Sequence, residues 1–141
     1  MLYISIRNKM ASIDEIDEEA VFMPLTISEV KALLDAEILT HDGDLDRLIV
    51  AAAACDLLSD LLAFNREQSI LLTGLVNPQV IRTAEMIDLS GIVFVRGKKP
   101  NAAVIDLAED LGMTLLTTEK TMFECCGILF SSGLEASLVV R

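Results

Sequence analysis

Apolar and polar positions recur along this chain in blocks, with a period of roughly 22 residues. The clearest block is residues 69–78, Ser-Ile-Leu-Leu-Thr-Gly-Leu-Val-Asn-Pro. It predicts a buried strand, a turn at Gly74, and a helix starting at Asn77-Pro78. Asn supplies a side-chain acceptor for the free N–H groups of a helix start, and Pro sits where an N–H would go unpaired. The pattern returns at residues 91–100 and, more loosely, at 113–121. The segments between carry single helical stripes: Val80, Ile81, Ala84 and Ile87, then Val104, Ile105, Ala108 and Leu111. Gly112 and Gly133 stand where those helical patterns stop.

Upstream, Thr26-Ile-Ser-Glu29 has capping-box spacing, with Ile27, Val30, Leu33 and Leu34 on one face of a short helix. Residues 37–40 predict a short strand, and 41–44 a turn in which Gly43 is free to take positive φ. Residues 48–55 form an unbroken apolar run rich in alanine. Propensity favours helix there, but a buried parallel strand also reads as a continuous apolar run. Asp56 stands where a following helix needs its N-cap. The expectation is a strand over 48–53, then a helix over 56–64 burying Leu57, Leu58, Leu61, Leu62 and Phe64. Residues 113–117 are the last clear strand. Thr121 and Glu124 form a second capping box, opening a helix that buries Met122, Phe123, Cys126, Leu129 and Phe130, with Cys125 flanking. Leu2, Ile4 and Ile6 alternate with polar residues as a short strand would.

Repeated units of these lengths imply right-handed βαβ crossovers. The predicted fold is a single α/β domain with a mostly parallel sheet of about five strands and flanking helices. Residues 1–24 read as an N-terminal arm, 25–134 as the domain, and 135–141 as a tail or edge strand.

Composition narrows the function. Apolar residues make up 52% of the 141, with no Trp and 4% aromatics, so the core is aliphatic. A net charge of −11 disfavours nucleic acid and anionic membrane surfaces, both of which need clustered Lys and Arg. No apolar run reaches the ~18 residues of a membrane span. The acidic stretch Asp14, Glu15, Asp17, Glu18 and Glu19 is unlike a secretion signal, so a cytoplasmic protein is expected. Three cysteines, two adjacent, give no disulfide framework, and the one histidine, His41, has no cysteine beside it. No metal site and no cofactor is expected. Asp42, Asp44 and Asp46 alternate around Gly43 but lack the glutamate of a calcium loop.

Open parallel sheets bind ligands beyond the carboxyl ends of their strands. Those ends carry Cys55 and Asp56; Thr73, Gly74 and Asn77; Arg96, Gly97, Lys98 and Lys99; and Thr117 and Thr118. Arg96, Lys98 and Lys99 are three of only eleven basic residues, and they precede a helix start, where an anion is favoured. A small anionic ligand at Thr73, Gly74, Asn77, Arg96, Gly97, Lys98, Lys99, Thr117 and Thr118 follows. Turn glycines and caps are also what any such sheet needs for its own loops. Gly74 stands alone, without a dinucleotide or P-loop fingerprint. Cys55, near a helix start, is the candidate for a Cys-dependent enzyme, but no base is evident in the sequence.

Several pieces in order resemble the DRTGG domain family. They are Leu45-Asp46-Arg47, Asp56-Leu-Leu-Ser-Asp60, Leu72-Thr-Gly-Leu-Val-Asn-Pro-Gln79, Ile92-Val-Phe-Val-Arg-Gly-Lys-Lys-Pro100, Leu115-Leu-Thr-Thr118 and Phe123-Glu124. The chain departs from the family where its Thr-Gly-Gly should stand: those positions read Val50-Ala51-Ala52, adding methyl groups where a close approach is implied. The resemblance implies an α/β fold similar to the N-terminal domain of HPr kinase/phosphorylase. It also implies a regulatory role without catalytic residues, and dimerisation. Asp46, Arg47 and Asp56 are the family-motif positions. The expected function is a non-enzymatic regulatory or ligand-sensing module, a homodimer, with a nucleotide or acyl phosphate as ligand. The alternative is an interaction subunit that docks on a partner enzyme without a small ligand.

Overall fold

The computed structural model describes residues 23–41, 43–63 and 66–137. The expected strand at Leu2, Ile4 and Ile6 lies outside them. The chain runs β1 (Leu25–Thr26), α1 (Ile27–Leu33), β2 (Glu37–Ile38), β3 (Leu48–Ile49), β4 (Ala51–Ala54) and α2 (Leu58–Leu61). It continues β5 (Ser69–Thr73), α3 (Pro78–Met86), β6 (Gly91–Phe94), α4 (Ala102–Asp110), β7 (Thr114–Thr117), α5 (Met122–Ser131) and β8 (Glu135–Ala136). The main sheet has the order β2-β7-β6-β5-β4-β8, all parallel except the β2 edge; β1 and β3 form a separate antiparallel pair. The sheet thus has six strands rather than about five, because β2 and β8 are two-residue edges.

The strand period of two sorts side chains into two layers. Leu71, Ile92, Phe94 and Leu115 face Leu61 of α2, Val80, Ile81 and Ala84 of α3, and Val104 and Ala108 of α4. Ile70, Leu72, Val93, Val95 and Leu116 face Ile27 and Val30 of α1 and Cys125 and Leu129 of α5. Three helices therefore cover one face and two the other. The chain builds β4 to β7 consecutively, with α2, α3 and α4 on one side. It then crosses back by α5 on the other side to lay β8 against β4.

The expected caps form: Thr26 with Glu29 and Thr121 with Glu124 make reciprocal capping boxes, and Asn77 accepts from Val80 N–H. Asn101, in a stretch read only as loop, caps α4 in the same way by accepting from Val104 N–H. The alanines of β4 are strand despite their helix propensity. Their backbone is laddered on both sides, Ala51 opposite Ser69 and Glu135 and Ala52 opposite Ile70 and Ala136, and this pairing overrides the local preference. Gly112 and Gly133 follow their helices with φ of 71° and 111°.

Several expectations are corrected. Among the described residues the helix expected over 56–64 is a single turn, Leu58–Leu61, with no side-chain cap; only Leu61 is buried in it, Leu57 and Leu62 are more than half exposed, and Phe64 lies outside the described residues. Asp56 does not cap it, because its carboxylate is engaged by the end of β5. On α5 the buried pair is Cys125 and Leu129, and Phe123 and Phe130 face outward at 88% and 67% exposure. This helix is apolar around most of its circumference, so its pattern does not select a face. Asp35 and Asp88 take positive φ as the residues that close α1 and α3. On α1, Leu33 is exposed and Leu34 carries the contact expected of both.

Candidate functional site

The connections leaving β6 and β7 go to opposite faces of the sheet, and between such loops open α/β sheets form a ligand crevice. Here that crevice is closed by the backbone. Arg96 N–H donates to the Lys120 carbonyl and Gly97 N–H to the Thr118 carbonyl, both at 2.8 Å. The Glu119 carboxylate covers Gly97, where a β-carbon would come within 2.6 Å of Oε2. Thr117 Oγ1 donates to the Lys98 carbonyl at 2.8 Å, and Thr118 Oγ1 to the Leu34 carbonyl at 2.7 Å. Both hydroxyls are buried and engaged, so these two candidates serve as scaffold. Lys99 reaches Glu37 at 3.4 Å, an exposed pair of small energetic weight. Lys98 is exposed.

An open constellation lies one strand over, at the end of β5. Asp56, arriving from β4, accepts through Oδ1 from Thr73 Oγ1 at 3.0 Å and from Gly74 N–H at 2.7 Å. Thr73 Oγ1 in turn accepts from Leu75 N–H at 3.1 Å. Thr73 is fully buried, so its satisfied hydroxyl is what permits a polar residue there. Arg96, arriving from β6, extends its guanidinium over Gly74. A β-carbon on Gly74 would lie 2.8 Å from Arg96 Nη2 and 3.5 and 3.6 Å from the two carboxylate oxygens of Asp56. Among the described residues the guanidinium has no carboxylate within ion-pair distance.

Arg96 has φ 57°, in the left-handed region. Asp35 and Asp88 take that conformation where a helix closes and Gln68 takes it before β5; Arg96 takes it with Gly97 in the tight turn that Lys98 N–H closes on the Val95 carbonyl at 3.1 Å. A side chain with a β-carbon is disfavoured there by about 1–2 kcal/mol, and such outliers concentrate at functional sites. The two backbone bonds to Thr118 and Lys120 hold it in place.

The remaining predicted positions do not join this site. Asn77 is committed to capping α3. Asp46 and Arg47 precede β3, on the side where β4 begins, and Arg47 contributes its carbonyl to Ile27 N–H. Ala51 and Ala52, standing for the family's glycines, are inside the β4 ladder, so their methyl groups do not obstruct the end of β5. Cys55 is half-buried, its thiol directed at the Leu57 carbonyl at 3.7 Å. Burial raises its pKa, against a lowering by that bond, and Asp60 and Asp56 raise it further. That is opposite to the low-pKa thiol a nucleophile needs. Cys125 is pushed up to about 11, by burial first and then by Cys126 and Glu124, and burial raises Cys126 as well. No group of three or more metal-ligating side chains occurs among the described residues, and no helix there is long and apolar enough to cross a membrane.

A second feature was not anticipated. An apolar groove of about 360 Å³ runs between α5 and the β4–β8 edge, floored by Ala52, Ala54 and Leu72 and walled by Phe123 and Phe130. Its signal was present in the sequence: two of the five phenylalanines stand seven apart on one helix, hence on one face.

Fold and strand-end site together define an open, mostly parallel α/β domain with an exposed arginine–aspartate pair. No protein-family model and no curated protein matches the chain. Among solved structures it is similar to the CBS and DRTGG domains of the regulatory region of Clostridium perfringens pyrophosphatase, complexed with its activator diadenosine tetraphosphate. The TM-score is 0.64 at 17% identity, over 96% of this chain and 60% of that one. This chain thus spans well under two thirds of that neighbour's length. The likeness is one of fold, and the neighbour is a regulatory region of an enzyme.

Proposed function

We propose that this protein is a non-enzymatic regulatory module of DRTGG type that senses a small anionic ligand at the end of β5. Thr73 and Gly74 form its floor, Arg96 is its principal cation, and Lys98 is a second. Residues 1–24 serve as an arm to this domain, and its setting is cytoplasmic. The observation that carries the reading is Arg96: an exposed guanidinium without a carboxylate partner among the described residues, held in a disfavoured backbone conformation, in a chain of net charge −11. The neighbour's regulatory region, complexed with a nucleotide activator, supports the same reading. The raised thiol of Cys55 speaks against the Cys-enzyme alternative.

A thermal-shift panel of ATP, diadenosine tetraphosphate and acetyl phosphate tests it. A ligand present at 100 times its Kd adds about 2.7 kcal/mol of stability, a shift of several degrees. At least one compound is expected to raise the Tm of the wild type, and the Arg96→Ala/Lys98→Ala variant is expected to lose that rise. An unchanged shift in the variant overturns the site.

A second reading, association through the apolar groove, is favoured by the exposure of Phe123 and Phe130. Its occupant is a second copy of the chain. Light scattering is expected to show a dimer for the wild type and a monomer for Phe123→Glu/Phe130→Glu. A monomeric wild type overturns the homodimer and leaves a partner enzyme, sought by co-purification, as the occupant.

A further inference from the structure

A bare anion accounts for Arg96 but not for the carboxylate beside it. Asp56 Oδ1 is held by Thr73 Oγ1–H and Gly74 N–H, which fixes the carboxylate and leaves Oδ2 without a hydrogen bond among the described residues. Asp56 and Arg96 are both exposed, and both border the same point above Gly74. They nevertheless form no ion pair. Gly74 puts no β-carbon at the point they both border.

An inorganic anion on Arg96 would meet the negative charge of Asp56 at short range, where the repulsion offsets much of the attraction. A ligand satisfies both side chains only if it brings a hydrogen-bond donor to the carboxylate together with anionic oxygens for the guanidinium. Such charge-assisted bonds are the strong ones, and guanidinium geometry suits phosphate. We infer that the site takes a phosphate ester with a free hydroxyl near its phosphate, a ribonucleotide or sugar phosphate. The hydroxyl donates to Asp56 Oδ2 and the phosphate oxygens accept from Arg96. This rests on the anion-sensing reading and decides within it: a nucleotide fits and an acyl phosphate, which has no hydroxyl to donate, does not.

Calorimetric titration of the full chain with ribose 5-phosphate, ATP and sulfate, a tetrahedral anion with no proton to donate, tests the inference. The wild type is expected to bind at least one of the two esters about ten-fold more tightly than sulfate, the worth of one hydrogen bond to a charged group. ATP and ribose 5-phosphate separate the nucleotide from the simple sugar phosphate. Asp56→Asn keeps an acceptor for Thr73 and Gly74 but removes the charge. It is expected to bring the ratio near one and to tighten sulfate, a gain that a merely structural role for Asp56 does not produce. Gly74→Ala places a methyl against the mobile end of Arg96, so the fold is kept and ester binding is expected to fall at least ten-fold. An unchanged ratio in Asp56→Asn, or a wild type that binds neither ester, overturns the inference. If Arg96→Ala leaves ester binding as in the wild type, the anion-sensing reading itself falls. If Arg96→Ala abolishes it while Asp56→Asn leaves the ratio unchanged, only the hydroxyl inference falls.

Discussion

Replacing Phe94 by alanine is expected to cost about 3–5 kcal/mol, the range for truncating a fully buried aromatic. Phe94 is 0% exposed, among the largest of the fully buried side chains, and sits in the layer between the sheet and α3 and α4. Its neighbours there are held by β-ladders and capped helices, so the cavity has little means of collapsing. In a chain of this size the loss corresponds to a Tm lower by roughly 10–20 °C, a large share of a total stability of about 5–15 kcal/mol. Met86→Ala is the control: at 69% exposure on α3 it is expected to stay within about 0.5 kcal/mol of the wild type. Urea denaturation of both variants checks the pair. Equal losses would mean that the helical face of α3 is assigned wrongly. Phe94 is also two residues from Arg96, and its carbonyl accepts from Thr118 N–H at 2.9 Å. A core defect here therefore reaches the loops that carry the site.

Arg96→Gly is expected to be about 1 kcal/mol more stable than Arg96→Ala, while both lose anion binding. At φ 57° glycine meets no steric penalty and alanine keeps it. Both variants remove the guanidinium equally. The difference in urea midpoint therefore isolates the backbone cost of keeping a side chain in that conformation, and ligand titration reads what the guanidinium does. Equal stability of the two variants would show that the left-handed geometry at this loop carries no cost. The reading of Arg96 as strain retained for function would then be withdrawn. Glycine at position 96 would retain the backbone bonds to Lys120 and Thr118 and discard only the cation.

How far the sequence could be read follows from the range of each interaction. The two capping boxes and the Asn77 cap are bonds between residues three apart, and they formed where their spacing placed them. The buried strands of the central sheet were visible as apolar runs for the same local reason. Asp56 illustrates the opposite case. Its residue type and position before a leucine-rich stretch suggest a cap, yet its partners are Thr73 and Gly74, 17 and 18 residues away on the next strand. Once its carboxylate is drawn there, the helix after it starts uncapped and shrinks to one turn. The face of α5 was likewise hard to read, because Met122, Phe123, Cys125, Cys126, Ile128, Leu129 and Phe130 surround a narrow polar strip of Glu124, Gly127 and Ser131.

The candidate site divides the same way. That Arg96 and Lys98 are cations at a strand end was evident from residue type and position. That Thr117 and Thr118 are internal struts was not, because their acceptors, the Lys98 and Leu34 carbonyls, lie 19 and 84 residues away.

By itself the sequence determined the α/β class and the starts of the capped helices. It could do so because these depend on periodicity and on contacts within one turn of chain. Only the tertiary structure decided that the β6–β7 crevice is closed and that Asp56 and Arg96 meet over Gly74. It alone decided that two phenylalanines line an open groove. Each of these depends on which strands lie side by side, and strand order is set by crossovers that no local pattern encodes.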